Sequence, residues 1–309
     1  MIEINNISKK YTNNIALNNV SFTVKSNSVV GLLGQNGAGK TTLMDIMAGC
    51  SKPDSGNVLI HNLSLVEKPE QYKSLIGYVP EIPPLYMDMT VSEYLHFVAR
   101  LKGIITNDIK AHLAEVIQLA GLKNVEKRLI GNLSKGYRQR VGIAQALIGN
   151  AQVLIFDEPT VGLDPKQIHD ILNLIKSLSQ NRTILISSHR LYEIQEICDQ
   201  YVILHKGELK HSGSIRQSEH NAVKLELLID ARDMAVADKI QPLQFVKKLR
   251  KADTCWGELQ LCSLRMDCEK EAFPERALNI LLSSNNVTIY GLRRIQEDIE
   301  HIFLDVTKE

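Results

Sequence analysis

Long apolar runs are missing from this chain: none approaches the roughly 18 residues needed to span a bilayer, and Met1 to Lys10 has no signal-peptide pattern. The chain is therefore expected to be neither integral to a membrane nor secreted. Cysteine is sparse. The five residues Cys50, Cys198, Cys255, Cys262 and Cys268 are odd in number and contain no Cys-x-x-Cys, so they read as reduced packing residues of a cytosolic protein. Net charge is almost absent, with 36 Lys and Arg against 35 Asp and Glu for a formal +1, which gives no global attraction to nucleic acid or anionic lipid. An Asn-Lys-x-Asp guanine motif is also lacking, which argues against a GTPase-type switch. What remains is the composition of a soluble globular protein, 44% hydrophobic and 23% charged. Its 309 residues suffice for one large or two ordinary domains with a core that needs no staples.

The most informative stretch is Gly34-Gln35-Asn36-Gly37-Ala38-Gly39-Lys40-Thr41, a P-loop. It follows the apolar run Val29 to Leu33 and precedes a helical pattern through Leu43, Ile46 and Met47, the strand, loop and helix context that the motif requires. The glycines let successive N–H groups converge on phosphates at a helix N-terminus that favours anions. The expected phosphate contacts are Gly34, Asn36, Gly37, Ala38, Gly39, Lys40, Thr41 and Thr42. Lys40 supplies a point charge to the β and γ oxygens, and the Thr41 hydroxyl is placed to ligate Mg²⁺.

Before this loop, Ile2, Ile4 and Ile7, then Val20, Phe22 and Val24, alternate as an antiparallel hairpin with a polar turn expected at Lys9-Lys10. Tyr11 would lie in that connection, packed on the hairpin or free to stack on a base. After the loop come a strand at Val58 to Ile60 and a short buried strand at Ile76 to Val79. Pro80 ends the latter, with Glu81 as its first polar residue. Two helices follow, with Tyr94, Leu95, Val98 and Leu101 on one face and Ile109, Leu113, Val116, Ile117 and Ala120 on the other. Ser134 opens a further helix as its N-cap or as an anion site.

Val153 to Phe156 reads as a fully buried strand that delivers Asp157 and Glu158 at its C-terminal end. Downstream of a P-loop, Asp157 is the expected Mg²⁺-side aspartate, and Glu158 is a candidate general base. His189 falls just past a second buried strand, Thr183 to Ser188, where ligands bind in parallel sheets. From Ala222 the pattern restarts as a small α+β domain, with a helix expected from Pro242 through Leu249, another from Pro274 with Leu278, Ile280 and Leu281, a strand from Val287 to Tyr290, and a final helix carrying Ile295, Ile299 and Ile302. Its expected role is packing, dimer support or regulation.

Taken together, these motifs resemble the ATP-binding subunit of an ATP-binding cassette (ABC) transporter over Met1 to about Ser214. Leu133-Ser134-Lys135-Gly136-Tyr137 is similar to the signature LSGGQ, Asp157-Glu158 to the end of Walker B, and Gly162-Leu163-Asp164 to the D-loop. His189 falls at the switch histidine, Tyr11 at the adenine-stacking aromatic, and Glu81 where most members have a glutamine. The end of the chain, Ile299 to Leu304, is similar to the extension of drug-, polysaccharide- and gliding-motility-type exporters.

The resemblance implies an α/β cassette over 1–214, with a mostly parallel core sheet, an antiparallel N-terminal subdomain and a helical insert at about 88–135. A C-terminal α+β domain would follow over 215–309. It implies ATP and Mg²⁺ as ligands, with Glu158, His189 and Lys40 catalytic, Thr41, Glu81 and Asp157 on the metal, and Tyr11, Ser134, Gly136 and Asp164 among the nucleotide contacts. It also implies a head-to-tail dimer in which Ser134 and Gly136 reach the other copy's γ-phosphate, an integral membrane permease as partner, no nucleic acid, and a place on the cytoplasmic face of the inner or plasma membrane. The competing reading, a soluble ABC ATPase acting on nucleic acid or ribosomes, would want two cassettes or a long coiled coil, and the chain has one P-loop and no heptads.

Overall fold

A computed structural model gives the fold and describes every residue except 13, 105, 216–221, 257–258, 270–273, 296–298 and 308–309. The chain divides into two compact units, Met1–Ile215 and Arg216–Glu309.

In the first unit, β1 (Ile2–Tyr11) and β2 (Asn14–Val24) pair antiparallel with Ile2 opposite Val24 and Ile4 opposite Phe22. The turn expected at Lys9-Lys10 is instead strand. Register shifts carry β1 on to Tyr11, Asp54 accepts the Lys10 amide at 2.7 Å and the Lys9 ammonium at 3.3 Å, and Thr12, just past Tyr11, takes a left-handed φ of 48°. Tyr11 therefore ends a strand instead of sitting in the connection.

Next come β3 (Val29–Leu33), α1 (Lys40–Met47), β4 (Ser55–Ile60), β5 (Leu63–Ser64), α2 (Pro69–Ser74) and β6 (Ile76–Val79). The insert holds α3 (Val91–Leu101) and α4 (Thr106–Leu119), and it is followed by α5 (Lys135–Leu147), β7 (Val153–Phe156), α6 (Pro165–Leu178), β8 (Thr183–Ser188), α7 (Leu191–Ile197), β9 (Gln200–His205) and β10 (Glu208–Ser214). Thr90 caps α3 through a capping box with Glu93. The buried stripe of α3 runs Val91, Tyr94, Leu95, Val98 and Ala99; Leu101, expected on it, falls off the stripe in the last turn and is exposed.

Two sheets form this unit: an antiparallel one in the order β2-β1-β4-β5, and a six-stranded one in the order β10-β9-β3-β8-β7-β6. In the second, β9, β3, β8, β7 and β6 run parallel and β10 closes the edge antiparallel. Every residue of β3, β7 and β8 is buried, which explains their continuous apolar or hydroxyl-bearing runs. Parallel direction has a functional consequence. The chain leaves β3, β6, β7 and β8 at the same edge, so the P-loop, Glu81, Asp157-Glu158 and His189 are delivered there together.

The second unit is a four-stranded antiparallel sheet in the order β12-β13-β11-β14, from β11 (Ala222–Asp230), β12 (Val246–Trp256), β13 (Leu259–Glu269) and β14 (Ile289–Ile295). Its helices are α8 (Ala237–Ile240), α9 (Pro274–Ser284) and α10 (Ile299–Thr307). The core gathers Leu225, Leu227, Ile229, Leu264, Met266 and Leu278. Pro242 does not open a helix: it follows α8, and Val246 to Leu249 begins β12. A register shift between Val246 and Lys248 turns both Val246 and Leu249 toward the core. Three-residue spacing in a bulged strand thus imitates a helical period. Ile295 belongs to β14, not to the final helix, the last strand starts at Ile289 and not at Val287, and Ile280 on α9 is exposed.

Candidate nucleotide site

The P-loop turns at Gln35, whose carbonyl accepts from Ala38 N–H at 3.1 Å, and enters α1 at Gly39. Gly39 has φ 102°, and a Cβ there would lie 2.5 Å from the Ala16 carbonyl, so only glycine fits. Gly34 is equally enclosed, since a Cβ would meet the Leu204 carbonyl at 2.6 Å, whereas Gly37, φ 80°, opens to free space. The turn between β9 and β10 presses on the loop from the other side: Gly207 N–H donates to the Ala38 carbonyl at 3.1 Å, and a Cβ on Gly207 would also meet the Ala16 carbonyl. Asn36 and Thr41 are exposed, Thr42 is half-buried and Ala38 is buried. No side chain caps α1, so its first N–H groups are left for a ligand.

Lys40 is 6% exposed. Its ammonium donates to the Gly34 carbonyl at 2.8 Å and the Gln35 carbonyl at 3.4 Å, and lies 3.4 Å from Glu158 Oε1. The other Glu158 oxygen, Oε2, is 2.8 Å from His189 Nδ1. With Glu158 ionised, Nδ1–H is the donor of this bond. Three residues picked out from separate stretches of sequence are thus in direct contact, and Glu158 holds a left-handed φ of 47° to reach both partners.

Asp157 is 1% exposed. Its Oδ1 accepts from the Ser187 hydroxyl at 2.5 Å, and that hydroxyl in turn accepts from Glu158 N–H at 2.8 Å. Asp157 Oδ2 is buried and has no hydrogen-bond partner. A buried carboxylate oxygen in that state is costly unless a cation or donor arrives, and this is the fit expected of a metal-side ligand. Glu81 is exposed in the loop after β6; β6 is tied to α1 by the Tyr78 hydroxyl, which donates to Asp45 at 3.0 Å. Burial and the Asp45 charge push that phenol up.

The remaining predicted residues have other surroundings. Tyr11 is 47% exposed with the Lys9 ammonium over its ring at 5.4 Å. Ser134 is exposed and caps α5, accepting from Tyr137 N–H at 3.4 Å. Gly136 is buried, and a Cβ there would lie 3.0 Å from the Gln167 side-chain oxygen of α6. Asp164 caps α6, accepting from Gln167 N–H at 2.9 Å. Among the described residues, no hydrogen bond or ion pair joins Ser134, Gly136 or Asp164 to Lys40, Glu158 or His189. Ser187 was missed by the reading of the sequence. The signal was a pair of hydroxyls, Ser187-Ser188, ending an otherwise apolar buried strand.

Comparison with known proteins places this geometry. The family model described as ABC transporter matches residues 17–161. Over 312 aligned residues the chain is 32% identical to an uncharacterized ABC transporter ATP-binding protein, YhcH of Bacillus subtilis, covering 100% of this chain and 96% of that one. The chain belongs to the ABC transporter ATP-binding family. It is 37% identical over 211 residues to the bacitracin transport ATP-binding protein BcrA of Bacillus licheniformis, covering 68% of each chain. A solved ATP-binding cassette, a dimer in a post-hydrolysis state bound to ADP and Pi, matches with a TM-score of 0.63 at 26% identity, covering 70% of this chain and 99% of that one. As a member of the family, the chain is an ATPase subunit that binds ATP and couples its hydrolysis to transport. No helix among the described residues is long and apolar enough to cross a membrane.

Proposed function

We propose that this subunit energises a separate integral membrane permease, in an exporter, from the cytoplasmic face, and that two copies close head to tail around two ATP molecules. The observation that carries the proposal is the contact of Glu158 with both Lys40 and His189, beside an Asp157 oxygen that has no partner. Export is supported by relatives whose names print it, such as a Nod factor export ATP-binding protein of Burkholderia orbicola, 30% identical over 262 residues.

In this reading the P-loop amides, Asn36, Lys40 and Thr42 hold the phosphates, Tyr11 stacks on the adenine, and Asp164 is among the nucleotide contacts. Thr41, Glu81 and Asp157 would hold Mg²⁺. Among the described residues no three of His, Cys, Asp and Glu gather as a ready-made cage, which suits an ion that takes its other ligands from phosphate and water. When bound, the ion would neutralise charge on the phosphate oxygens. Glu158 accepts the proton of the attacking water, and His189 holds the Glu158 carboxylate in place. Lys40 must exchange its Gly34, Gln35 and Glu158 contacts for phosphate oxygens, which frees Glu158 to act. Ser134 and Gly136 of each copy complete the other copy's site.

Two measurements test this. Glu158→Gln should lower kcat by about 10² to 10⁴ while ATP still binds, and retained hydrolysis removes Glu158 from the base role. Ser134→Arg in one chain of a mixed pair should silence the site on the partner's wild-type P-loop. Normal turnover at that site contradicts sharing across the dimer.

A further inference from the structure

Glu193, on α7, is the most enclosed carboxylate of the site region: it has no exposed surface and belongs to none of the motifs above. Burying a carboxylate is expensive unless its lone pairs are filled, and here four donors fill them. Thr160 Oγ1–H donates to Oε1 at 2.8 Å and Ser188 Oγ–H to Oε2 at 2.7 Å. The Arg190 guanidinium and the Tyr192 hydroxyl reach Oε1 at 3.4 and 3.3 Å. Thr160 and Ser188 are themselves buried, at 1% and 0% exposure.

The two close donors have informative positions. Thr160 lies two residues after Glu158, and Ser188 lies one residue before His189. Glu158 and His189 are in turn joined at 2.8 Å. The result is a closed ring that alternates covalent chain and hydrogen bond: Glu158 to Thr160, across to Glu193, across to Ser188, on to His189, and back to Glu158. One side chain on α7 thereby adds a bridge between the segments that follow β7 and end β8, beside the one that the Ser187 hydroxyl makes to Asp157 and Glu158.

We propose that Glu193 is a positioning residue for ATP hydrolysis, holding the Glu158 and His189 segments in register through Thr160 and Ser188. The proposal rests on the reading of Glu158 as base with His189 beside it. The ring meets the P-loop only through Glu158, which lies 3.4 Å from Lys40; among the described residues Thr160, Ser188 and Glu193 make no hydrogen bond or ion pair with the P-loop or α1, so loss of their contacts should act on turnover and leave nucleotide affinity in place. A strut that served stability alone would lower both or neither.

The test uses the full-length chain, with steady-state ATP hydrolysis, ATP titration and thermal denaturation measured in parallel. Thr160→Val preserves shape and deletes the hydroxyl; Thr160→Ser restores it; Glu193→Gln preserves size and faces the hydroxyls with an amide. Thr160→Val and Glu193→Gln should each lower kcat by about 10- to 100-fold, the scale of a small misplacement of a reacting group, with ATP affinity kept and a single folding transition retained at a lowered melting temperature. Thr160→Ser should recover most of the rate. The double variant should be no slower than the slower single, because both changes cut one contact. Wild-type turnover by Thr160→Val, losses that multiply in the double variant, or affinity falling in step with kcat would each overturn the clasp. If Glu193→Gln fails to fold, the Thr160 pair decides alone. Failure of the underlying reading is separate: an active Glu158→Gln removes the base, whereas an inactive Glu158→Gln beside an active Thr160→Val removes only Glu193.

Discussion

At the scale of single residues, the site is governed by where a side chain is forbidden as much as by where one acts. Gly39 shows this, for its φ of 102° lies in a region that other residues reach only with strain, and the Ala16 carbonyl occupies the space a methyl group would need. Gly39→Ala should destabilise the chain by about 1 to 3 kcal/mol and weaken ATP binding, because relief requires the P-loop backbone to move. Thermal denaturation and nucleotide titration check both parts, and an unchanged melting temperature together with unchanged affinity would contradict the argument. Asp157 and Glu158 illustrate the opposite case. They are adjacent in sequence but differ in surroundings: one accepts a hydrogen bond from a hydroxyl and keeps an unfilled oxygen, and the other is held between an ammonium and an imidazole.

At the scale of elements, the insert helix α3 starts on a capping box in which Thr90 accepts from Glu93 N–H at 3.3 Å and Glu93 accepts the Thr90 N–H at 2.8 Å. Thr90→Ala should lower stability by about 1 kcal/mol, and Thr90→Ser should restore most of it, as a denaturant midpoint would report. The Thr90 amide and hydroxyl hold the Glu93 carboxyl below its ordinary value of 4.5. A carboxyl so depressed contributes stability that is complete above its unfolded-state pKa and is lost as pH falls through the folded-state value. Thr90→Ala keeps the amide and removes the hydroxyl that donates to Glu93 at 2.8 Å, so its penalty should shrink below about pH 4 and stay constant above about pH 6; a penalty independent of pH would exclude a contribution from the Thr90 hydroxyl to the Glu93 carboxylate.

For the whole molecule, the division at Ile215 leaves each unit with a core of its own. A chain ending there should fold and bind ATP as tightly as the full protein, and loss of binding in a folded truncation would show that the second unit shapes the site. Much of the first unit was legible because its chemistry sits at the ends of apolar runs: β3 leads into the P-loop, β7 into Asp157-Glu158 and β8 into His189. Period-two and fully apolar patterns survive folding when strands are regular. They misled where strands are not, as at Lys9-Lys10, where bulges extend β1, and at Val246 to Leu249, where a bulge spaces apolar residues like a helix. Thr160, Ser187 and Glu193 escaped for another reason. A hydroxyl or a carboxylate in a sequence names no partner, and only the fold brings α7 across the ends of β7 and β8.

The phosphate-binding loop is held at its α1 end by a strand of one sheet and a turn of the other: a Cβ on Gly39 would strike the Ala16 carbonyl, and the Gly207 N–H donates to the Ala38 carbonyl at 3.1 Å. An arriving triphosphate would meet a shape already made during folding, and the entropy of ordering that backbone is not charged against affinity when it binds.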